Sequence, residues 1–254
     1  MFNLNDAETE LCTFLFINEI CESWRDYFIS HLKCNEYSGK KYLTSILGND
    51  CKSIYAVLHG SLKKAAILDF NSYSGGNFSI EDNIVSWLQY PADKLFSRGF
   101  YQHVEKSTMP LDYHFIDSEV MEHLSGLLNY NGKSSNHILL YGSPGSGKSS
   151  FARGLAEQLG CPAFEILRGG DDDEDNKSST RQTAIRACIN MNANNRPLII
   201  VDEADNLLNT QRAWTSRGEI QDKGWLNDLL DEPNLKFIWI TNSIDGIETS
   251  VMRR

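Results

Sequence analysis

The chain has 254 residues, a formal net charge of −10, 41% hydrophobic and 23% charged residues. That balance is that of a soluble globular protein of one large or two ordinary domains, and it disfavours broad electrostatic capture of nucleic acid or anionic membrane. The apolar run LCTFLFI, Leu11 to Ile17, is too short to span a bilayer and follows acids where an export signal carries bases.

Six cysteines stand at positions 12, 21, 34, 51, 161 and 188 with no Cys-x-x-Cys pair. They read as reduced, mostly buried thiols of a cytoplasmic protein. His103 and His114 form no metal-binding spacing and are expected to be structural.

From Met1 to about Asp117 the apolar spacing is helical, as in Leu11, Phe14 and Leu15 and then Ile20, Trp24 and Phe28. Residues 53–88 alternate a helical pattern, a turn at Gly75 and Gly76, and a capped helix opening at Ser79 with Glu81 and Asp82 in its first turn. A mainly helical domain over 1–117 is expected, with a winged-helix-like module as one form of it. Lys63 and Lys64 are the only basic pair near that segment, which favours an adaptor or packing domain over a DNA-contacting one.

From Ser118 strands and helices alternate. His137 to Gly142 (HILLYG) reads as a buried strand. A helix follows from Lys148, with Phe151, Leu155 and Leu159 on one face and Gly160 as its stop. Ala163 to Leu167 (AFEIL) is a second strand, and Ala184, Ile185, Cys188 and Ile189 mark an amphipathic helix. PLIIVDEAD holds a third strand; Trp225, Leu226, Leu229 and Leu230 lie on another helix; KFIWITNS is a fourth strand. Continuous apolar strands separated by helices predict an α/β domain over 118–254, a parallel sheet covered on both faces.

Gly142, Ser143, Pro144, Gly145, Ser146, Gly147, Lys148 and Ser149 satisfy G-x-x-x-x-G-K-[ST] between a predicted strand and a predicted helix, with Ser150 next in the helix. Gly145 and Gly147 let the main chain turn its amides toward phosphate oxygens, and the helix start adds positive potential. Lys148 would neutralise the β- and γ-phosphates of ATP, while the Ser149 hydroxyl would sit on Mg²⁺. Asp202, ending a buried strand, would hold the same ion. Glu203 beside it would polarise an attacking water. The alternative for this acid pair is a plain strand-to-helix transition with Asp205 as its cap.

The ordered set GSPGSGKSS, LIIVDEAD, WITNS and GIETSVMRR resembles the AAA+ ATPases, more closely the classic AAA branch, over about Ser118 to Arg254. The resemblance implies a P-loop NTPase sheet and ATP hydrolysis with Mg²⁺. It further implies a ring-shaped homo-oligomer that couples turnover to remodelling of a macromolecular partner; the acidic balance favours protein over nucleic acid as that partner, and no segment read above points to a membrane. It implies that Asn242 orients the hydrolytic water. It also implies that Arg254, or Arg253, reaches the nucleotide of a neighbouring subunit. A non-catalytic nucleotide-binding switch and a DNA-acting motor or loader are the alternatives.

Members of that family continue into a fifth strand and a helical lid, so the chain is expected to be a fragment, weak or inactive alone, with the strand leading into the P-loop on an open sheet edge. Between the second strand and the next helix, where unfoldases of the family place an aromatic, this chain carries the acidic run 171–175, read as a solvated loop or an acidic collar. Trp214 lies in a less periodic stretch and reads as packing or as a second pore contact.

Overall fold

The structure, a computed structural model, describes residues 2, 4–31, 44, 56–58, 60–71, 77–89, 100–107, 109–130, 132, 134–167, 178–210 and 223–253. The acidic run 171–175, Trp214, the turn at Gly75 and Gly76, and Arg254 lie outside them.

The chain opens with α1 (Asp6–Ile20). Its start is fixed by a capping box in which the Asn5 side chain accepts from the Glu8 amide and Glu8 accepts from the Asn5 amide, both at 2.9 Å. Glu8 also accepts the Ser61 amide at 2.9 Å, so the cap ties α1 to α3 (Ser61–Lys64). Leu11, Phe14 and Leu15 are buried as their spacing predicts. Ile20 and Trp24 are not: they are 46% and 40% exposed. The helix breaks at Cys21, which is extended, and α2 (Glu22–His31) starts after it. One helical face therefore does not continue through both.

Ser79 does not cap a helix. It lies in β2 (Asn77–Ile80), which pairs antiparallel with β1 (Leu68–Asn71) opposite Asp69, and α4 (Asp82–Gln89) begins after Glu81. The described residues before 118 thus combine helices with a small antiparallel pair.

The main sheet has the order β3-β5-β6-β7-β4. Its parallel members are β4 (Asn136–Tyr141), β5 (Ala163–Ile166), β6 (Leu198–Val201) and β7 (Lys236–Thr241), the four strands legible in the sequence. β3 (Tyr101–His103) adds antiparallel to β5 at one edge, drawn from upstream of residue 118. β4 forms the other edge among the described residues. All four residues of β6 are buried, as in a strand covered on both faces.

One face of the sheet is covered by α5 (Ser118–Asn129) and α6 (Lys148–Leu159), which bury Leu128, Phe151 and Leu155 against Leu198, Ile200, Ile238 and Ile240. α5 starts where the Asp117 carboxylate accepts the Glu119 amide at 2.9 Å. α6 ends at Gly160, left-handed at φ +60°.

The other face is covered by α7 (Ser178–Met191) and α9 (Lys223–Leu230), with the short α8 (Asp205–Leu208) between them in sequence. Ile185, Leu226 and Phe237 there share one core with Leu11, Leu58, Leu62 and Ile67. Two hydrogen bonds cross the same seam, Thr183 Oγ1 to Ala66 O at 2.7 Å and Trp225 Nε1 to Lys64 O at 3.0 Å. The N-terminal residues are packed onto the sheet's covering helices.

The four described cysteines are free thiols. Cys188 is buried, Cys12 and Cys161 are half-buried and Cys21 is exposed. Burial pushes the Cys12 and Cys188 thiols up to about 12. No described helix is long and apolar enough to cross a membrane. Among the described residues no cluster of His, Cys, Asp or Glu could hold a metal ion on its own; His103 lies against Phe164 and His114 against Phe151.

Candidate nucleotide site

Parallel pairing puts the carboxyl ends of β4, β7 and β6 side by side, with β7 in the middle: Tyr141 lies opposite Thr241, and Val201 opposite Trp239. The loops leaving those ends form one crevice, the place where open parallel sheets bind ligands. α10 (Thr249–Met252) follows the β7 loop.

The loop after β4 turns on glycines. Gly142, Gly145 and Gly147 have φ of +148°, +79° and +85°, values that a side chain resists, and Gly147 leads directly into α6. A Cβ at Gly145 would meet nothing within 4 Å. Conformation, not crowding, selects glycine there, and the space beside it is open to a ligand. Lys148 folds back over the loop, donating from Nζ to Gly142 O at 2.8 Å and Ser143 O at 3.0 Å, and reaching Asn242 Oδ1 at 3.3 Å. The ammonium therefore sits between the P-loop and the end of β7.

Ser149 Oγ donates to Asp202 Oδ2 at 2.7 Å. A hydroxyl and a carboxylate in contact form an all-oxygen pair of the kind Mg²⁺ takes, so the residues present fit the ion. Asp202 is buried at 8% exposure, and its other oxygen accepts the Glu203 amide at 2.8 Å. Glu203 is exposed, with its backbone left-handed at φ +47°. That conformation is costly for a residue with a Cβ and persists only where surroundings impose it.

Two residues not read from the sequence as site residues impose it. Arg181 of α7, 1% exposed, donates to the carbonyls of Asp202 and Glu203 and to Asn206 Oδ1. Asp205 is not a helix cap; Ala204 holds that position and makes no side-chain cap bond. The Asp205 carboxylate instead accepts from Thr241 Oγ1 at 2.6 Å and the Asn242 amide at 3.2 Å, tying the β6 turn to the end of β7. Arg186 on the same helix is buried too, so no signal in the sequence singles out Arg181.

The segment before α5 also lies on the start of α6. Ser107 Oγ is 3.0 Å from Ser150 O and 3.1 Å from Ser150 Oγ. A Cβ at Gly154 would come within 2.9 Å of the Leu111 side chain, which accounts for a glycine in mid-helix.

The structure thus brings Lys148, Ser149, Asp202 and Asn242 together, with Glu203 next in the chain to Asp202. Ser143, Pro144, Gly145 and Ser146 form the exposed rim of the loop, and Ser150 continues α6. Arg253 is exposed just past α10 and makes none of the contacts that join the P-loop to Asp202 and Asn242.

Residues 138–254 match the family model described as "ATPase family associated with various cellular activities (AAA)". The chain is 32% identical over 128 residues to a Lon protease of Flavobacterium johnsoniae, covering 48% of this chain and 15% of that protein. It is 25% identical over 218 residues to the mitochondrial Lon protease homolog of Mus musculus, covering 77% of this chain and 23% of that protein. The crystal structure of the FIGL-1 AAA domain superimposes with a TM-score of 0.43 at 16% identity, covering 68% of this chain and 58% of that one. The chain spans less than a quarter of the length of these two curated relatives.

Proposed function

Residues 138–254 belong to the AAA+ ATPase family, and from that premise we propose that the chain binds ATP with Mg²⁺ in the crevice described and hydrolyses it. The observation that carries this reading is the 2.7 Å contact between Ser149 and Asp202. It joins a loop able to wrap phosphate to a turn able to hold a metal and a base.

In this reading the amides around Gly145 and Gly147 and the α6 N-terminus receive the phosphates. Lys148 exchanges its two loop carbonyls for β- and γ-phosphate oxygens. Ser149 and Asp202 would hold Mg²⁺, which when bound would offset negative charge on the phosphates. Glu203 takes the proton of the attacking water. Asn242, held by the ammonium on one side and Asp205 on the other, orients that water. Arg253 or Arg254 stabilises the transferring phosphoryl group of a neighbouring protomer, so a separated protomer turns over slowly.

The chain acts as a homo-oligomer in the cytoplasm and spends the cycle on moving a macromolecular partner. The relatives named as Lon proteases support a protein as that partner.

Phosphate release measured against protein concentration tests this. Turnover per chain is expected to rise with concentration. Mixing Glu203→Gln with an Arg253→Ala, Arg254→Ala double variant, each nearly inactive alone, should restore part of it. An absence of Mg²⁺-dependent ATP binding and turnover at every concentration would overturn the proposal.

A further inference from the structure

We propose that Arg181 is a positioning residue for hydrolysis: from within α7 its guanidinium fixes the main chain of residues 202–206 and so aims the Glu203 carboxylate. This rests on the reading that Glu203 acts on water, but its evidence is separate, and lies in how the turn is held.

Consecutive carbonyls of an extended strand point to opposite sides, so one side chain cannot ordinarily take both. Here a single guanidinium takes two in a row, NH2 donating to Asp202 O and NH1 to Glu203 O at 2.6 Å. The chain permits this only because Glu203 has left the strand conformation for φ +47°. NH1 also donates to Asn206 Oδ1 at 2.9 Å, closing the clamp across the turn. From the opposite side the Ala204 amide donates to Ile240 O at 2.7 Å. The backbone on both sides of the Glu203 Cα is thereby fixed, while the residue itself is exposed.

The planar fork matters more than the charge. Arg181 meets its three oxygens from two nitrogens held rigidly apart, whereas a lysine offers one nitrogen on a flexible stem and would hold the same turn more loosely. Arg181 is 1% exposed and sits in a helix whose neighbours Thr183, Ile185 and Cys188 are fully packed, so its head has no room to choose another pose.

The test uses the full chain with Arg181→Lys and Arg181→Met, each alone and combined with Glu203→Gln. Amide hydrogen exchange is read first. In both variants the 202–206 amides are expected to exchange at least tenfold faster, while β7 amides and the 142–150 loop stay within twofold; the β7 amides report whether a variant has kept its fold. Turnover is read second. Arg181→Lys should lower kcat about tenfold or more with KM within threefold, and adding it to Glu203→Gln should lower kcat no further.

Unchanged exchange at 202–206 in a folded Arg181→Lys protein overturns the inference whether or not the chain hydrolyses ATP. An equal fall in kcat with and without Glu203 does the same, because Arg181 would then act independently of that carboxylate. A parent chain without turnover sinks the ATPase reading alone and leaves the exchange result to decide the clamp.

Discussion

Two turns face each other across the end of β7, and they are built by opposite means. The loop 142–147 reaches left-handed conformations through glycines, stays half-buried or exposed, and is crossed by one lysine head. The turn 202–206 reaches one through Glu203, a residue that resists it, and is held by Arg181, Ile240 and Thr241 from two other elements. A loop whose amides must close on a ligand benefits from residues without side chains. A turn that must present a side chain cannot use glycine at that position, so neighbours supply the constraint.

The comparison breaks first at Lys148, the group that spans both turns. Lys148→Ala should weaken ATP binding by roughly a hundredfold or more, since about two charge-assisted hydrogen bonds to phosphate are lost. Calorimetric titration of the variant checks this; affinity within threefold of the parent would remove the lysine from the phosphate site.

Beneath the two turns, the strands make a different prediction. His137 of β4 accepts from Trp239 Nε1 at 3.2 Å, and burial lowers its pKa from 6.5 to about 4. The unfolded chain takes up this proton near pH 6.5 while the folded chain resists it. Stability is therefore unaffected by this residue above about pH 6.5, falls by about 1.4 kcal/mol per unit as pH drops below it, and levels off below about pH 4. His137→Gln keeps an acceptor for the indole and removes the titration. Urea unfolding of the two proteins at pH 7 and pH 5 should differ in slope by about 2 kcal/mol over that interval.

Glycine conformation gives a smaller and sharper contrast. Gly147→Ala at φ +85° places a Cβ 3.2 Å from His114 Cε1 and should cost about 1–2 kcal/mol, with a fall in ATP affinity besides. Gly160→Ala at φ +60° has open space around it and should cost about 1 kcal/mol of stability with affinity unchanged. Equal effects on affinity would erase the distinction between loop and cap. The smallest effect is expected at Thr241→Val, which removes one donor from Asp205; a net hydrogen bond of about 1 kcal/mol corresponds to a fall in kcat of about fivefold.

Much of this was legible in the residues. The apolar runs in HILLY, AFEI, LIIV and KFIWIT announce strands, although β4, expected to be buried, is a mostly half-buried edge and β5 carries Glu165, paired with Arg153; Gly160 stops α6 where a left-handed cap is needed. The P-loop spacing located the crevice, because local glycine chemistry determines that loop. Features settled by tertiary contact were not legible. The three residues of β3 are too few to carry a period, and they add to the sheet only because β5 offers its edge. Ser79 is equally at home as a cap or in a strand, and pairing with Asp69 decides for the strand. Arg181 looks like any helix arginine until the turn it grips is folded against it, and Asp205 looks like a cap until β7 is beside it.

The central claim is that the two turns form one hydrolytic site, and Glu203→Gln tests it most directly by comparing ATP affinity with single-turnover hydrolysis. The account predicts affinity within about threefold of the parent and a hydrolysis rate lower by a hundredfold to ten-thousandfold. Hydrolysis at the parent rate by a Glu203→Gln protein that still binds ATP would contradict it.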